Sequence, residues 1–171
     1  MKIAICGAGT VGRGVTQILQ DNQALITART GKAIEITVVA SRSVPTDEIF
    51  KDIAYTADIG SVCARQDVDV VVELMGGTTD AKVLIETALS AGKSVVTANK
   101  ALIAEHGDAL FALATKHEVA LLYESAVAGS IPIIKVIKES LAGNQVAWLA
   151  GIINGTANFI LTEMAASGPT R

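Results

Sequence analysis

A short apolar run, Lys2-Ile3-Ala4-Ile5-Cys6, breaks into Gly7-Ala8-Gly9-Thr10-Val11-Gly12 and is followed by Val15, Ile18 and Leu19 at helical spacing. Strand, tight glycine turn and helix, in that order, constrain the fold more than any other feature of the chain. Gly7 permits the sharp bend, Gly9 lets the backbone approach a pyrophosphate, and Gly12 allows close helix packing, while the helix N-terminus supplies oriented N–H donors. The G-x-G-x-x-G spacing alone is a weak signal, because glycine turns that merely join elements are common. Here it follows a strand, precedes an amphipathic helix and opens a repeated β-α series, which is the context that gives it weight. The turn is therefore expected to bind a dinucleotide through Gly7, Gly9, Thr10, Val11 and Gly12.

The series continues along the chain. Residues 21–32 are polar and contain Gly31, and read as a loop or ragged helix end before a second strand over 33–40. The stretch around Pro45 and the charged patch 47–52 is not assignable, and a weak helix follows near 59–65. Residues 69–74, Asp-Val-Val-Val-Glu-Leu, form a continuous apolar run of the sort buried on both faces of a parallel sheet, and take the place of the fourth strand. Ala81, Leu84, Ile85 and Ala88 then recur at helical spacing, and Gly92 stands where a helix C-terminus favours a left-handed residue. Strands over 94–97 and 119–123 flank a helical stretch over 100–117, expected to be interrupted near Gly107. Alternating strand and helix argue for a Rossmann-type, doubly wound α/β fold with helices on both faces and right-handed crossovers. After Gly129 the pattern changes. Pro132 can occupy a first helical turn, Ile133, Ile134, Ile137 and Leu141 continue an apolar face, 146–153 reads as a strand and 156–166 as a helix. Two domains are expected: 1–130 for the nucleotide, and 131–171 as the beginning of an α+β substrate domain.

Composition narrows the function. Half the residues are hydrophobic, 18% are charged and the net charge is −3, which suits an α/β interior and offers no basic stripe for a nucleic acid. Cys6 and Cys63 have neither metal nor disulfide-framework spacing and read as buried thiols in a reducing cytosol. Glycine arrives at position 7, too early for a signal-peptide apolar region, and no run approaches a membrane span of about 20 residues. A cytoplasmic protein without membrane partners is expected.

Cofactor choice should be read at the end of the second strand, where an acid would bond a free ribose 2′-hydroxyl and repel a 2′-phosphate. The chain has Val39-Ala40-Ser41-Arg42-Ser43 instead. A guanidinium between two hydroxyls can grip a phosphate, so NADP is favoured over NAD, the bland alternative being an exposed loop arginine. At the carboxyl end of the fourth strand, Glu73-Leu74-Met75-Gly76-Gly77 keeps side chains out of a ligand's path, or is a plain strand-to-helix turn. Val95-Val96-Thr97-Ala98-Asn99-Lys100 ends on a lysine at the same edge. A cation there would favour alkoxide character in an alcohol losing hydride; otherwise it is a surface lysine starting a helix. Gly76, Thr97 and Lys100 complete the expected cofactor contacts, with Lys100 also the catalytic candidate. The segment 123–132, Tyr-Glu-Ser-Ala-Val-Ala-Gly-Ser-Ile-Pro, is either a connection or a set of inward carbonyls suited to a hard cation. Asn154-Gly155-Thr156 can serve as a helix cap. His106 and His117 read as surface residues.

These stretches, together with Gly151-Ile152-Ile153-Asn154-Gly155-Thr156, resemble the N-terminal part of homoserine dehydrogenases over nearly all of the 171 residues. The resemblance implies hydride transfer between NAD(P) and the small molecules L-homoserine and aspartate 4-semialdehyde, in threonine and methionine biosynthesis. It implies that Lys100 contacts cofactor and substrate, and that a sodium ion is held by Glu124, Val127, Gly129 and Ile131. Ser130 departs from the glycine frequent at that place in the family. Those enzymes are much longer and tend to dimerise through their second domain. The chain is accordingly expected to stop before the main substrate-binding residues and the second lysine, to be inactive alone, and to belong to a homo-oligomer when complete. An isolated nucleotide-binding or regulatory module, and a related amino-acid or semialdehyde dehydrogenase, are the competing readings.

Overall fold

Six parallel strands stand in the order β3-β2-β1-β4-β5-β6 in a computed structural model that describes residues 1–151 and 155–167. They are β1 (Lys2–Cys6), β2 (Glu35–Ala40), β3 (Ala54–Thr56), β4 (Val70–Glu73), β5 (Ser94–Thr97) and β6 (Leu121–Leu122). Strand order reverses between β1 and its neighbours β2 and β4, which opens a crevice at the carboxyl edge. The alternation of side chains along β1 builds two cores. Ala4 and Cys6 join Val71, Val95, Leu84, Ile85 and Leu89 on one face, while Ile3 and Ile5 join Val39, Val72 and Phe50 on the other.

Helices α1 (Thr10–Asp21), α2 (Gln23–Thr30), α3 (Ile59–Ala64), α4 (Asp80–Ser90) and α5 (Lys100–Lys116) connect the strands. The polar stretch expected to be a loop or ragged helix end holds a helix of its own, α2, ended by Gly31 at φ 71°. None of its residues is buried, which is why no apolar face marks it in the sequence. Helix α5 runs without interruption through Gly107. That glycine is a contact site, since a Cβ there would lie 3.3 Å from the Phe111 ring. Gly92 follows α4 in the left-handed region, at φ 74°. Both histidines are half-buried on or beside α5.

Cα packing divides the chain into Met1–Ile134 and Lys135–Arg171. Across that boundary the expected helix forms as α6 (Ile133–Lys135), continued by π-helical Val136–Ser140, with Leu141 N–H donating to the Val136 carbonyl. A last helix, α7, covers Gly155–Ser167. The strand expected over 146–153 is absent from its described part, residues 146–151, which have no neighbouring strand to supply backbone partners. Positions 152–153, and Asn154 of the Asn-Gly-Thr motif, lie outside the described residues. No described helix is long and apolar enough to cross a membrane.

Candidate functional site

The three glycines of the first turn have three different surroundings. Gly7 has φ 117°, and a Cβ on it would approach the Leu74 carbonyl oxygen to 2.6 Å. At Gly12 a Cβ would stand 1.9 Å from the Gly7 carbonyl oxygen, so any side chain would push α1 off the turn. Around Gly9 nothing lies within 4 Å of the same position. Gly9 also caps α1 without a side-chain hydrogen bond, which leaves first-turn N–H groups free to meet an anion. Thr10 and Val11 are exposed on that first turn, and Gly12 is buried beneath it.

An open cleft of about 220 Å³ lies on this side of the sheet, bounded by Gly7 and Gly9 from the turn, Ser41 and Arg42 after β2, and Leu74 to Gly76 after β4. Ile59 from α3 and Asp80 from the first turn of α4 complete its wall. A second hollow, of about 330 Å³, shares Gly9 and Ser41 and extends past Ser43 and Pro45 to Asp47, which pairs with Arg13 at 2.5 Å. The Ser41 hydroxyl donates to the Ser43 carbonyl at 2.7 Å, and the Tyr55 hydroxyl donates to the Ser41 carbonyl at 2.9 Å. The loop carrying Arg42 is thus held by its own neighbours, while Arg42 itself is exposed and enters no ion pair among the described residues.

At the far side of the crevice the predicted residues separate. Gly76 lines the cleft at φ 70°, followed by Gly77 at φ 74°. Thr97 is fully buried, and its hydroxyl donates to Glu73 Oε2 at 2.6 Å. Lys100 is exposed at the first residue of α5, whose cap is the Asn99 side chain accepting from Leu102 N–H. It does not border the cleft. Glu124 opens a 3-10 turn and its Oε1 accepts from Ile134 N–H at 2.9 Å. Between them, Ala128 and Ser130 are left-handed at φ 50° and 70°. Val127 is half-buried, and Gly129 and Ile131 are exposed. No group of three or more His, Cys, Asp or Glu side chains converges among the described residues, so a cation held here would rest mostly on carbonyl oxygens.

Burial pushes the Cys6 thiol up to about 12, aided by nearby Cys63 and Glu73, and raises Cys63 as well. Both cysteines are free and buried, inert as nucleophiles. Sequence reasoning missed Ile59 and Asp80. Their only signal was position, at the first turns of helices that follow strands on the carboxyl edge.

A doubly wound parallel sheet with its glycine turn at the strand-order reversal defines the dinucleotide-binding class of α/β domain. Comparison with known proteins carries this further. A family model described as the NAD-binding domain of homoserine dehydrogenase matches residues 7–124, and one described as homoserine dehydrogenase matches 132–171. The homoserine dehydrogenase of Pseudomonas aeruginosa is 49% identical over 170 residues, covering 99% of this chain and 39% of that protein. A crystal structure of a homoserine dehydrogenase from Thiobacillus denitrificans superposes with a TM-score of 0.92 at 42% identity, over 99% of this chain and 39% of the other. A hyperthermophilic archaeal homoserine dehydrogenase in complex with NADPH aligns with a TM-score of 0.82 at 26% identity, covering 98% and 57%. The chain belongs to the homoserine dehydrogenase family, and spans 39% of the length of the Pseudomonas aeruginosa and Neisseria gonorrhoeae enzymes it resembles.

Proposed function

We propose that this chain supplies the NADP-binding part of an oxidoreductase that exchanges hydride between NADP and the L-homoserine/aspartate 4-semialdehyde pair, a step of threonine and methionine biosynthesis. The observation that carries the cofactor reading is the cleft itself. It joins an open glycine, an uncapped helix N-terminus and an arginine without an ion pair among the described residues. The turn of residues 7–12 would cradle the pyrophosphate, and Arg42 would hold a 2′-phosphate, joined by the Ser41 hydroxyl if it turns from the Ser43 carbonyl to the ligand. Ile59 offers an apolar wall to the adenine. The archaeal relative solved with NADPH supports the same choice.

The bound nicotinamide supplies the hydride chemistry, and the protein orients the reacting groups. Lys100, standing at the β5 edge, would place its ammonium near the substrate oxygen and stabilise negative charge there. Glu124 with the carbonyls of Val127, Gly129 and Ile131 would hold a sodium ion, an all-oxygen donor set of the kind hard cations take. The left-handed residues 128 and 130 aid this by turning successive peptides. In the cell the protein would be cytoplasmic and homo-oligomeric, with the chain described here binding cofactor without turning over substrate.

Titration with NADPH and NADH, followed by nicotinamide fluorescence, tests this reading. NADPH should bind more tightly, and Arg42→Ala should weaken NADPH by about tenfold or more, the worth of a charged phosphate contact, while leaving NADH unchanged. Equal affinities in the unaltered chain would remove the NADP assignment.

A further inference from the structure

Polar burial is concentrated at one place in this fold. Among the described residues the buried polar side chains are Thr16, Glu73, Lys93, Thr97 and Asn99, and three of these five meet at the carboxyl ends of β4 and β5. Glu73 is fully buried and stands opposite Thr97 in the strand register. Its Oε1 accepts from the N–H groups of Met75 at 2.8 Å and Gly76 at 3.3 Å, and its Oε2 accepts from the Thr97 hydroxyl. With its single proton committed to the carboxylate, Thr97 Oγ1 accepts the Asn99 N–H at 3.0 Å. Asn99 Nδ2 then donates to the Gly77 carbonyl at 2.6 Å, while its Oδ1 caps α5. The bonds form a closed ring that runs from the loop after β4 through β5 to the start of α5 and back to the loop.

A valine and a leucine would fill this space without burying a carboxylate, so stability does not account for the arrangement. What the ring does is geometric. It folds the backbone at 75–77 around the Glu73 carboxylate, with two successive residues in the left-handed region, and ties that loop to the residue preceding Lys100. The loop borders the cleft; Lys100 leaves from the other end of the same bond chain.

We propose that Glu73, Thr97 and Asn99 are positioning residues that fix the 74–77 loop and Lys100 in one relation, so that the nicotinamide half of the cofactor is seated by the closed ring. The inference rests on the cofactor reading given above. It assigns Thr97 an indirect part: its side chain holds the floor of the site from inside instead of touching the cofactor.

The test compares NADPH with 2′,5′-ADP, which carries the adenosine and 2′-phosphate but no nicotinamide. Thr97→Val should weaken NADPH about tenfold, as expected when a buried carboxylate and N–H lose their partner, and shift the bound nicotinamide emission, while 2′,5′-ADP stays within about twofold. Thr97→Ser should restore NADPH binding. Asn99→Asp keeps the helix cap oxygen but replaces the donor to Gly77 by an anionic acceptor facing that carbonyl, so the link opens; it should reproduce the pattern and serves if Thr97→Val does not fold. Adding Lys100→Ala to Thr97→Val should bring no further loss, because the two would already be uncoupled. Parallel weakening of both ligands, unchanged NADPH binding, or additive losses with Lys100→Ala would overturn the proposal while leaving the cofactor site standing. Failure of the unaltered chain to bind either ligand would remove the site and the proposal together.

Discussion

The two units of this chain are both rich in apolar residues and use them in opposite ways. In Met1–Ile134 the strands and helices close on each other, and Ile5, Ile85, Leu89, Leu102 and Leu110 are almost wholly enclosed. In the described part of Lys135–Arg171 only Ile137 is even half-buried, and Trp148, Phe159, Leu161 and Met164 remain 63–79% exposed. Hydrophobic content is therefore not what makes the first unit fold. A sheet that offers two complementary faces is, and helices without a sheet to pack on leave their apolar side chains in water.

The sharpest way to break that contrast is at the turn. Gly12→Ala drives a methyl into the Gly7 carbonyl and should destabilise the first unit by more than about 3 kcal/mol in urea unfolding, whereas Gly143→Ala, with open space around it, should change stability by less than about 0.5 kcal/mol. A core comparison comes next. Leu89→Ala should lower stability by about 2–5 kcal/mol, and Leu149→Ala, at a site 64% exposed, by under about 0.5 kcal/mol. If both leucines mattered equally, the second unit would have a core of its own in solution.

A smaller effect is set by pH. The folded Cys6 thiol keeps its proton to about 12, while an unfolded cysteine releases it near 9.0. Below 9 the two states bind the same proton and the group is neutral to stability; between 9 and 12 the unfolded state alone ionises, so stability falls. Thermal unfolding followed from pH 8 to 10.5 should show a shallower decline in Cys6→Ala than in the unaltered chain. Smallest of all, Ser130→Gly relieves a left-handed serine near the end of the first unit and should raise its stability by about 0.5 kcal/mol, read from the unfolding midpoint.

Much of this was legible because period and punctuation agree. β1, its turn and α1, then β4, α4 and β5, each combine an apolar pattern with a glycine or polar stop. Where the pattern is diluted the sequence is silent. β3 has three residues and a single neighbour at the sheet edge, and α2 buries nothing. Gly107 was misread because a glycine inside a helix looks the same whether it breaks the helix or makes room for a large side chain one turn away; here the Phe111 ring, four residues on along α5, lies over it. The apolar run after Val146 has strand composition, yet strands need partners. At the site, the glycines and Arg42 were visible as types in a fixed context. Ile59 and Asp80 come from helices distant in sequence, and the inward turn of the Thr97 hydroxyl depends on Glu73 lying in register across the sheet.

The position of β1 has a consequence for how the sheet comes together. Strands β1 to β3 can assemble within the first 56 residues, and β4 to β6 within 70–122, so each half is built from neighbours close in sequence. Within the sheet the halves meet at the β1–β4 pairing, with side chains of both shared in the cores on its two faces, and Lys2 N–H donates to the Asp69 carboxylate 67 residues away at one end. This seam closes the longest loop of any strand pairing in the sheet, and the cleft opens at its carboxyl end. Any ligand lying across the cleft from Arg42 to Gly76 touches both halves at once, and acts as a clasp that slows their parting.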